Sequence, residues 1–387
     1  MVDVNRNLPL GPAGVNRILL DWPELFETFT VLSGPGEEVI RGPLAHYLSP
    51  GDPLVEASIE AWPGAAYLAP AGEGWMLVLT RRTAPQRRER WWLHILLFLL
   101  TLLTASVAGA YLSGRAPLAP LSEAVPLPLV PVWPELLPGA LYALPLLGIL
   151  LGHELGHYLT ARRRGLDASP PYFVPGPHWI NLVGTFGAFI RLRSALVNRA
   201  VLLDVGAAGP LVSFILSLPV LAVGLMLSSP VPVAEAPPAP FLILFGEIPI
   251  WVGGSLAVHL MAAIFAPGGE VLLLHPLAFA GWIGLFVTVL NLFPLSQLDG
   301  GHILYALSAR AQRLAGAAFL VGLLLLGWLF WPGWWVWAML ILLLGRGRIA
   351  HPPVIDPVSE IGTARELVAW ACIGIFLVSF VPMPLAL

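Results

Sequence analysis

The sequence predicts a polytopic α-helical membrane protein of about 6–7 transmembrane helices with a small N-terminal α+β domain. Three observations carry that prediction. Hydrophobic residues fill 57% of the 387 positions and charged residues only 11%, whereas a soluble domain is about one quarter charged. From residue 91 onward, apolar runs recur at close to the length of about 20 residues that a bilayer crossing needs. Residues 1–88 instead alternate apolar and polar positions between turn signals, as short strands do.

The N-terminal stretch is expected to form a β-β-α-β-β unit. Residues 29–33 and 38–43 read as strands around a Gly-Pro-Gly turn. Residues 53–62 read as an amphipathic helix, and residues 65–69 and 75–80 as two more strands. Asp3, Arg6, Arg17, Asp21 and Glu24 argue against a cleavable signal peptide. Arg81, Arg82, Arg87, Arg88 and Arg90 lead into the membrane domain, 91–387. Its first span is 91–112. The second, 137–159, holds the most informative motif. A β-rich loop at 181–194 precedes the third span at 201–227. A broken fourth segment covers 275–309, and C-terminal spans fill 314–381. The apolar stretch 241–265 is read as an external helix at the interface, because another crossing would move Arg310 and Arg313 away from the remaining arginines.

Arginine placement supplies the orientation. With residues 81–90 in the cytoplasm, the same side receives Arg162, Arg163, Arg164, Arg191, Arg193, Arg199, Arg310, Arg313, Arg346, Arg348 and Arg365, and only Arg115 lies opposite. The expectation is a multi-pass protein of the cell (cytoplasmic) membrane, with its N-terminus and site opening cytoplasmic. Trp328, Trp331, Trp334, Trp335 and Trp337 read as an outer aromatic belt. The single cysteine, Cys372, excludes a disulfide within the chain and a Cys-rich metal site. No nucleic-acid partner is expected.

His153-Glu154-Leu155-Gly156-His157 carries the chemistry. On a helix, residues i and i+4 lie about 40° apart, so both imidazoles can grip one metal ion. Glu154 points to the side, where it can deprotonate a metal-bound water; H-E-x-x-H is the zinc metalloprotease signature for that reason. His153 lies nine residues before Arg162, about 13 Å into the apolar layer, where ionisable groups are functional by default. Gly148, Gly152 and Gly156 form a ridge that admits a close partner helix, expected to deliver the remaining ligand. A catalytic zinc takes three protein ligands. Asp299, in the stretch from Asn291 to His302 that Pro294, Gly300 and Gly301 should break, is the leading third ligand. Asp204, near the start of the third span, is its rival. His302 is assigned either a solvent-facing place or a place behind the ligands.

The pentad, together with Asn291 through Asp299-Gly300, resembles the site-2 protease family of intramembrane zinc metalloproteases. The likeness covers residues from about 91 onward. The small N-terminal domain and the tail at 351–360 are similar to the branch that includes chloroplast homologues. The resemblance implies His153, His157 and Asp299 as ligands of one Zn2+ ion, Glu154 as the catalytic glutamate, and Asn291 as an active-site asparagine. Phe293-Pro294 stands where the family often has Leu-Pro. The implied activity is cleavage of transmembrane segments, releasing membrane-tethered regulators such as anti-sigma factors or clearing signal-peptide remnants. Gly184, Thr185, Phe186, Gly187, Ala188 and Phe189 are expected to bind the unwound substrate by strand addition. The competing readings are a non-proteolytic metal-binding protein or transporter, and an interaction module centred on the N-terminal domain.

Overall fold

The computed structural model describes residues 20–34, 37–71, 74–82, 89–120, 129–194, 196, 198–232, 237–266, 268, 271–354 and 360–386. The charges Asp3, Arg6, Arg17, Arg87 and Arg88, turn residues 35–36 and tail residues 355–359 lie outside them. The chain divides into two compact units, Met1–Arg87 and Arg88–Leu387.

In the first unit, β1 (Thr30–Gly34), β2 (Glu37–Pro43), β3 (Ala65–Ala71) and β4 (Gly74–Arg82) form an antiparallel sheet in the order β1-β2-β4-β3. The helix α1 (Pro53–Glu60) opens on Asp52, whose carboxylate accepts from the Leu54 N–H at 2.9 Å. It ends before Trp62, whose indole N–H donates to the Thr80 carbonyl at 2.8 Å. Ile40, Leu77 and Leu79 from the sheet, Val55 from α1, and Leu25 and Leu44 make the core.

The second unit is mostly helical. Its long elements are α2 (Trp91–Leu112), α4 (Ala140–Arg163), which follows a short β5 (Leu118–Pro120)–β6 (Leu129–Pro131) hairpin and α3 (Trp133–Leu136), and α5 (Arg199–Met226). Among the described residues, four helices are long and apolar enough to cross a membrane: Trp91–Leu112, Trp133–Arg163, Arg199–Met226 and Ala309–Leu329. Glycines set the α2–α4 contact. A Cβ on Gly139 would lie 1.9 Å from the Ser106 carbonyl, so the backbones meet without side chains between them.

Between α4 and α5 the chain forms an antiparallel hairpin, β7 (Tyr172–Pro175) with β8 (Thr185–Phe189). It runs along α2. The Tyr172 ring lies 4.1 Å from that of His94, Thr104 donates to the Gly184 carbonyl at 2.7 Å, and His178 lies 5.1 Å from Tyr111 near the far end of the helix. Arg193 hydrogen-bonds Glu89 just before α2 and holds its carboxyl below the usual carboxylate range.

The stretch expected as an external helix at 241–265 is helical only in its last part. It forms the hairpin β10 (Phe241–Phe245)–β11 (Ile248–Val252), then α6 (Leu256–Phe265). Gly246 at φ 62° makes the turn, and the Ser255 hydroxyl caps α6 by accepting from the Val258 N–H. With β9 (Ser229–Pro230), β12 (Leu272–Leu273) and β13 (Leu385–Ala386), the hairpin builds a five-stranded sheet, β13-β11-β10-β12-β9.

The fourth apolar segment is two helices, α7 (Pro276–Asn291) and α8 (Asp299–Leu307). Ser296, at φ 47°, lies in the break, and a Cβ on Gly300 would meet the Leu292 carbonyl at 1.9 Å. After α9 (Ala309–Leu329) and α10 (Gly333–Leu344), and before α11 (Thr363–Ser379), the chain returns beneath this break. There the Ser296 N–H donates to the Ile349 carbonyl at 2.7 Å, and Gln312 Nε2 donates to the Pro294 and Ile349 carbonyls, each at 3.1 Å. Arg199 donates to the Ala306 and Leu307 carbonyls, both at 2.7 Å, and so closes the open C-terminal turn of α8. Arg199→Met should destabilise the second unit by about 1.5–3 kcal/mol, the scale of hydrogen bonds to a charged donor. Thermal unfolding in detergent checks this: the variant should melt several degrees lower, and Arg313→Met, at an exposed position, should not.

Candidate metal centre

Helix α4 places the two histidine rings with centroids 4.7 Å apart and their Nε2 atoms 3.0 Å apart. Asp299 opens α8, and its Oδ2 lies 3.3 Å from His153 Nε2 and 3.2 Å from His157 Nε2. The break between α7 and α8 makes this possible, because a carboxylate on the first helical turn projects from an element end rather than from a packed helix face. His153, Glu154 and His157 are buried.

The contacts behind the histidines select the nitrogen that faces the centre. His157 Nδ1 donates to the Val205 carbonyl at 2.7 Å, which leaves the lone pair on Nε2. His153 Nδ1 meets Ser213 Oγ at 3.1 Å. Asn291 ends α7 with Nδ2 3.3 Å from His153 Nε2. Glu154 points aside from the pair, toward the backbone N–H of Ile190 just after β8.

This donor set fits a zinc ion. Tetrahedral bonds of about 2.0–2.1 Å separate neighbouring ligand atoms by about 3.3 Å, close to the 3.0, 3.3 and 3.2 Å found here. Two imidazole nitrogens and a carboxylate oxygen at that spacing present electron pairs to one another, and a shared cation resolves the conflict. Space is kept for it: a Cβ on Gly209 would lie 2.1 Å from His157 Nε2. Among the described residues, His153, His157 and Asp299 make up this ligand group, which leaves a fourth tetrahedral position open for water or substrate.

Other candidates fall elsewhere. Asp204 is ion-paired to Arg365 at 2.8 Å and to Arg164, away from the histidines. His302 is half-buried. Its Nδ1 lies 2.8 Å from His351 Nε2, against the returning segment. The glycine ridge does admit a close helix, but that helix is α5 rather than the one bearing Asp299. A Cβ on Gly156 would meet the Ala208 carbonyl at 2.7 Å and one on Gly152 the Leu216 side chain at 2.3 Å, while Gly148 faces open space. Thus α5 delivers the partners of the two Nδ1 atoms. Of the loop residues, Thr185 to Phe189 form β8, and Gly184, at φ 81°, packs its backbone against Ala105. Sequence reasoning missed β7, Ser213, Thr288 and Gly209. The Gly-Ala-Ala-Gly-Pro run at 206–210 was the available signal for a backbone that something must approach closely.

Comparison with known proteins agrees with this geometry. Residues 141–329, which carry both histidines and Asp299, match the profile of peptidase family M50. This region is similar to peptidase family M50. The M50 match ends with α9. Among similar proteins is the probable zinc metalloprotease EGY1, chloroplastic, of Oryza sativa subsp. japonica, 32% identical over 255 residues, or 65% of this chain and 42% of that protein. The probable zinc metalloprotease EGY2, chloroplastic, of Arabidopsis thaliana is 35% identical over 220 residues, 55% of this chain and 36% of its own. The Arabidopsis EGY1 protein is 35% identical over 244 residues, 61% of this chain and 41% of its own. The matches thus span about two fifths of these relatives. No solved structure matches.

Metal analysis of the purified chain should find one zinc per molecule, and His153→Ala, His157→Ala and Asp299→Ala should each lose it. Gly209→Ala should weaken zinc binding at least about tenfold, on the scale of changes beside a ligand. Gly148→Ala, where nothing lies within 4 Å of the added methyl, should bind as the parent does.

Proposed function

We propose that this protein is an intramembrane zinc metalloprotease that cleaves transmembrane segments of membrane-tethered proteins. The observation that carries this is a buried glutamate, Glu154, beside a three-ligand group assembled between one long apolar helix and a broken one. An ion held by His153, His157 and Asp299 would supply a Lewis acid that brings the pKa of a water toward neutrality. Glu154 is placed to take a proton from a water that adds to the peptide carbonyl and to return it to the amine as the C–N bond breaks. Asn291, with its amide beside His153, is placed to donate to an oxyanion or to hold the substrate chain.

A transmembrane helix conceals its peptide bonds, so the substrate must unwind, and β8 is its template. Strand β7 covers one edge of β8. The other edge leads through Ile190 to Glu154, and an extended segment added there would lie beside the catalytic groups. Phe186, at the register shift between the strands, and Phe189 are exposed and would pack against the substrate side chains. A metal-transport reading leaves Glu154 and this edge without a task.

The orientation that fits has the N-terminus and the site opening in the cytoplasm. The arginine-marked starts of α5 and α9 lie on one side, joined through Arg199 and the end of α8. On the opposite side the Gly246 N–H donates to the Tyr111 carbonyl and Trp334 to the Pro382 carbonyl. Residues 1–88 then form a cytoplasmic accessory domain that recruits substrates or restrains the protease. Substrates in this reading are tethered regulators of the anti-sigma-factor kind or signal-peptide remnants.

Glu154→Gln should keep zinc but lower cleavage of a helical substrate in liposomes by about 10²–10⁴-fold, the usual contribution of a general base. Undiminished cleavage would reject the assignment. Ala188→Pro removes an N–H from β8 and should abolish cleavage with zinc still bound; normal turnover by that variant would exclude strand addition.

A further inference from the structure

The two ligand histidines are held in unlike ways. His157 Nδ1 donates to a helix carbonyl, an acceptor that cannot change role. His153 Nδ1 meets a hydroxyl, Ser213 Oγ, at 3.1 Å. That hydroxyl is 2.8 Å from Thr288 Oγ1, and Thr288 in turn donates to the Gly284 carbonyl at 2.8 Å. The chain crosses three helices, α4, α5 and α7, and both hydroxyl side chains are almost fully buried, at 2% and 0% exposure.

Each hydroxyl carries one proton, and that restricts the arrangement. Thr288 places its own on Gly284. Ser213 has three acceptors at hand: Thr288 Oγ1 and the carbonyls of Gly209 at 3.1 Å and Pro210 at 3.2 Å. With the Ser213 proton on any of these, its lone pair accepts from His153 Nδ1–H, and His153 Nε2 is left with the lone pair that faces the centre. Backbone packing supports the chain. A Cβ on Gly284 would lie 2.3 Å from Ser217 Oγ, so α7 approaches α5 closely enough for Thr288 to reach Ser213.

Resting on the zinc reading, we propose that Ser213 and Thr288 are positioning residues for His153: Ser213 fixes which ring nitrogen faces the ion and the plane of the ring, and Thr288 fixes the direction in which the Ser213 hydroxyl points. Ser213 touches the ring nitrogen of His153 that faces away from the centre, and Thr288 acts through Ser213. Their effect is on metal affinity and ligand geometry.

The test is zinc affinity of the full chain in detergent by competition with a chelator, together with the visible spectrum of the cobalt-loaded protein. Ser213→Ala should weaken zinc by about 10–100-fold, the usual effect of losing a partner behind a ligand histidine, and should shift the cobalt bands. Thr288→Val, which keeps the shape and loses the hydroxyl, should weaken zinc in the same direction, and Thr288→Ser should restore it. Ser217→Ala removes a neighbouring buried hydroxyl that donates to the Ser213 carbonyl and should change neither readout. Zinc affinities of Ser213→Ala and Thr288→Val equal to the parent, or an equal loss in Ser217→Ala, would overturn the proposal while leaving the zinc site itself intact. A parent chain that takes up no zinc would overturn both.

Discussion

Three electron-pair donors held 3.0–3.3 Å apart in a buried, apolar setting oppose one another unless a cation lies among them. Much of the second unit can be understood as the cost of holding them there. A helix cannot turn its backbone aside in a bilayer without losing hydrogen bonds that no water replaces. The backbone groups of the stretch between α7 and α8 are met from within the protein: Ile349 accepts from Ser296 and Gln312 donates to Pro294. Arg199 does the same for the far end of α8. The returning segment after α10 therefore serves the position of Asp299 although it lies far from it in sequence.

Small residues serve the same end. Gly156 lets α5 lie against α4, and that approach brings the Val205 carbonyl to His157 and Ser213 to His153. Gly209 leaves free the space next to His157 Nε2. Side-chain bulk at Gly156 would alter the centre by pressing on the α5 backbone, and at Gly209 by striking the His157 ring itself. The hairpin meets the same centre from the other side. It is braced along α2 from His94 to Tyr111, and it presents the end of β8 to Glu154.

What could be read from the sequence divides along the range of the forces involved. The apolar run at 91–112 coincides with α2, because lipid-length runs are a local property. The spacing of His153 and His157 put both on one helix face, and Pro294 marked the break after which Asp299 opens α8, whereas Gly300 and Gly301, expected to break the segment, lie within α8. Non-local pairing was hidden. Strand β7 lies among prolines at 170, 171, 175 and 177, which masked its pairing with β8. Residues 241–252 are apolar enough to pass for a helix, but Gly246 and Pro249 let them pair as a hairpin, which periodicity over so short a run could not distinguish. The helix lying on the glycine ridge was taken to bear the third ligand. It is α5, which bears the partners of the first two. Nothing in one sequence signals that a serine and a threonine 75 positions apart share a hydrogen bond.

X-ray absorption at the zinc edge of the purified full chain in detergent tests the central claim most directly. The account predicts one zinc per chain, with two imidazole nitrogens and at least one oxygen at about 2.0–2.1 Å, and loss of that signal in Asp299→Ala. A six-oxygen shell, a single imidazole, or an unchanged spectrum in Asp299→Ala would contradict it.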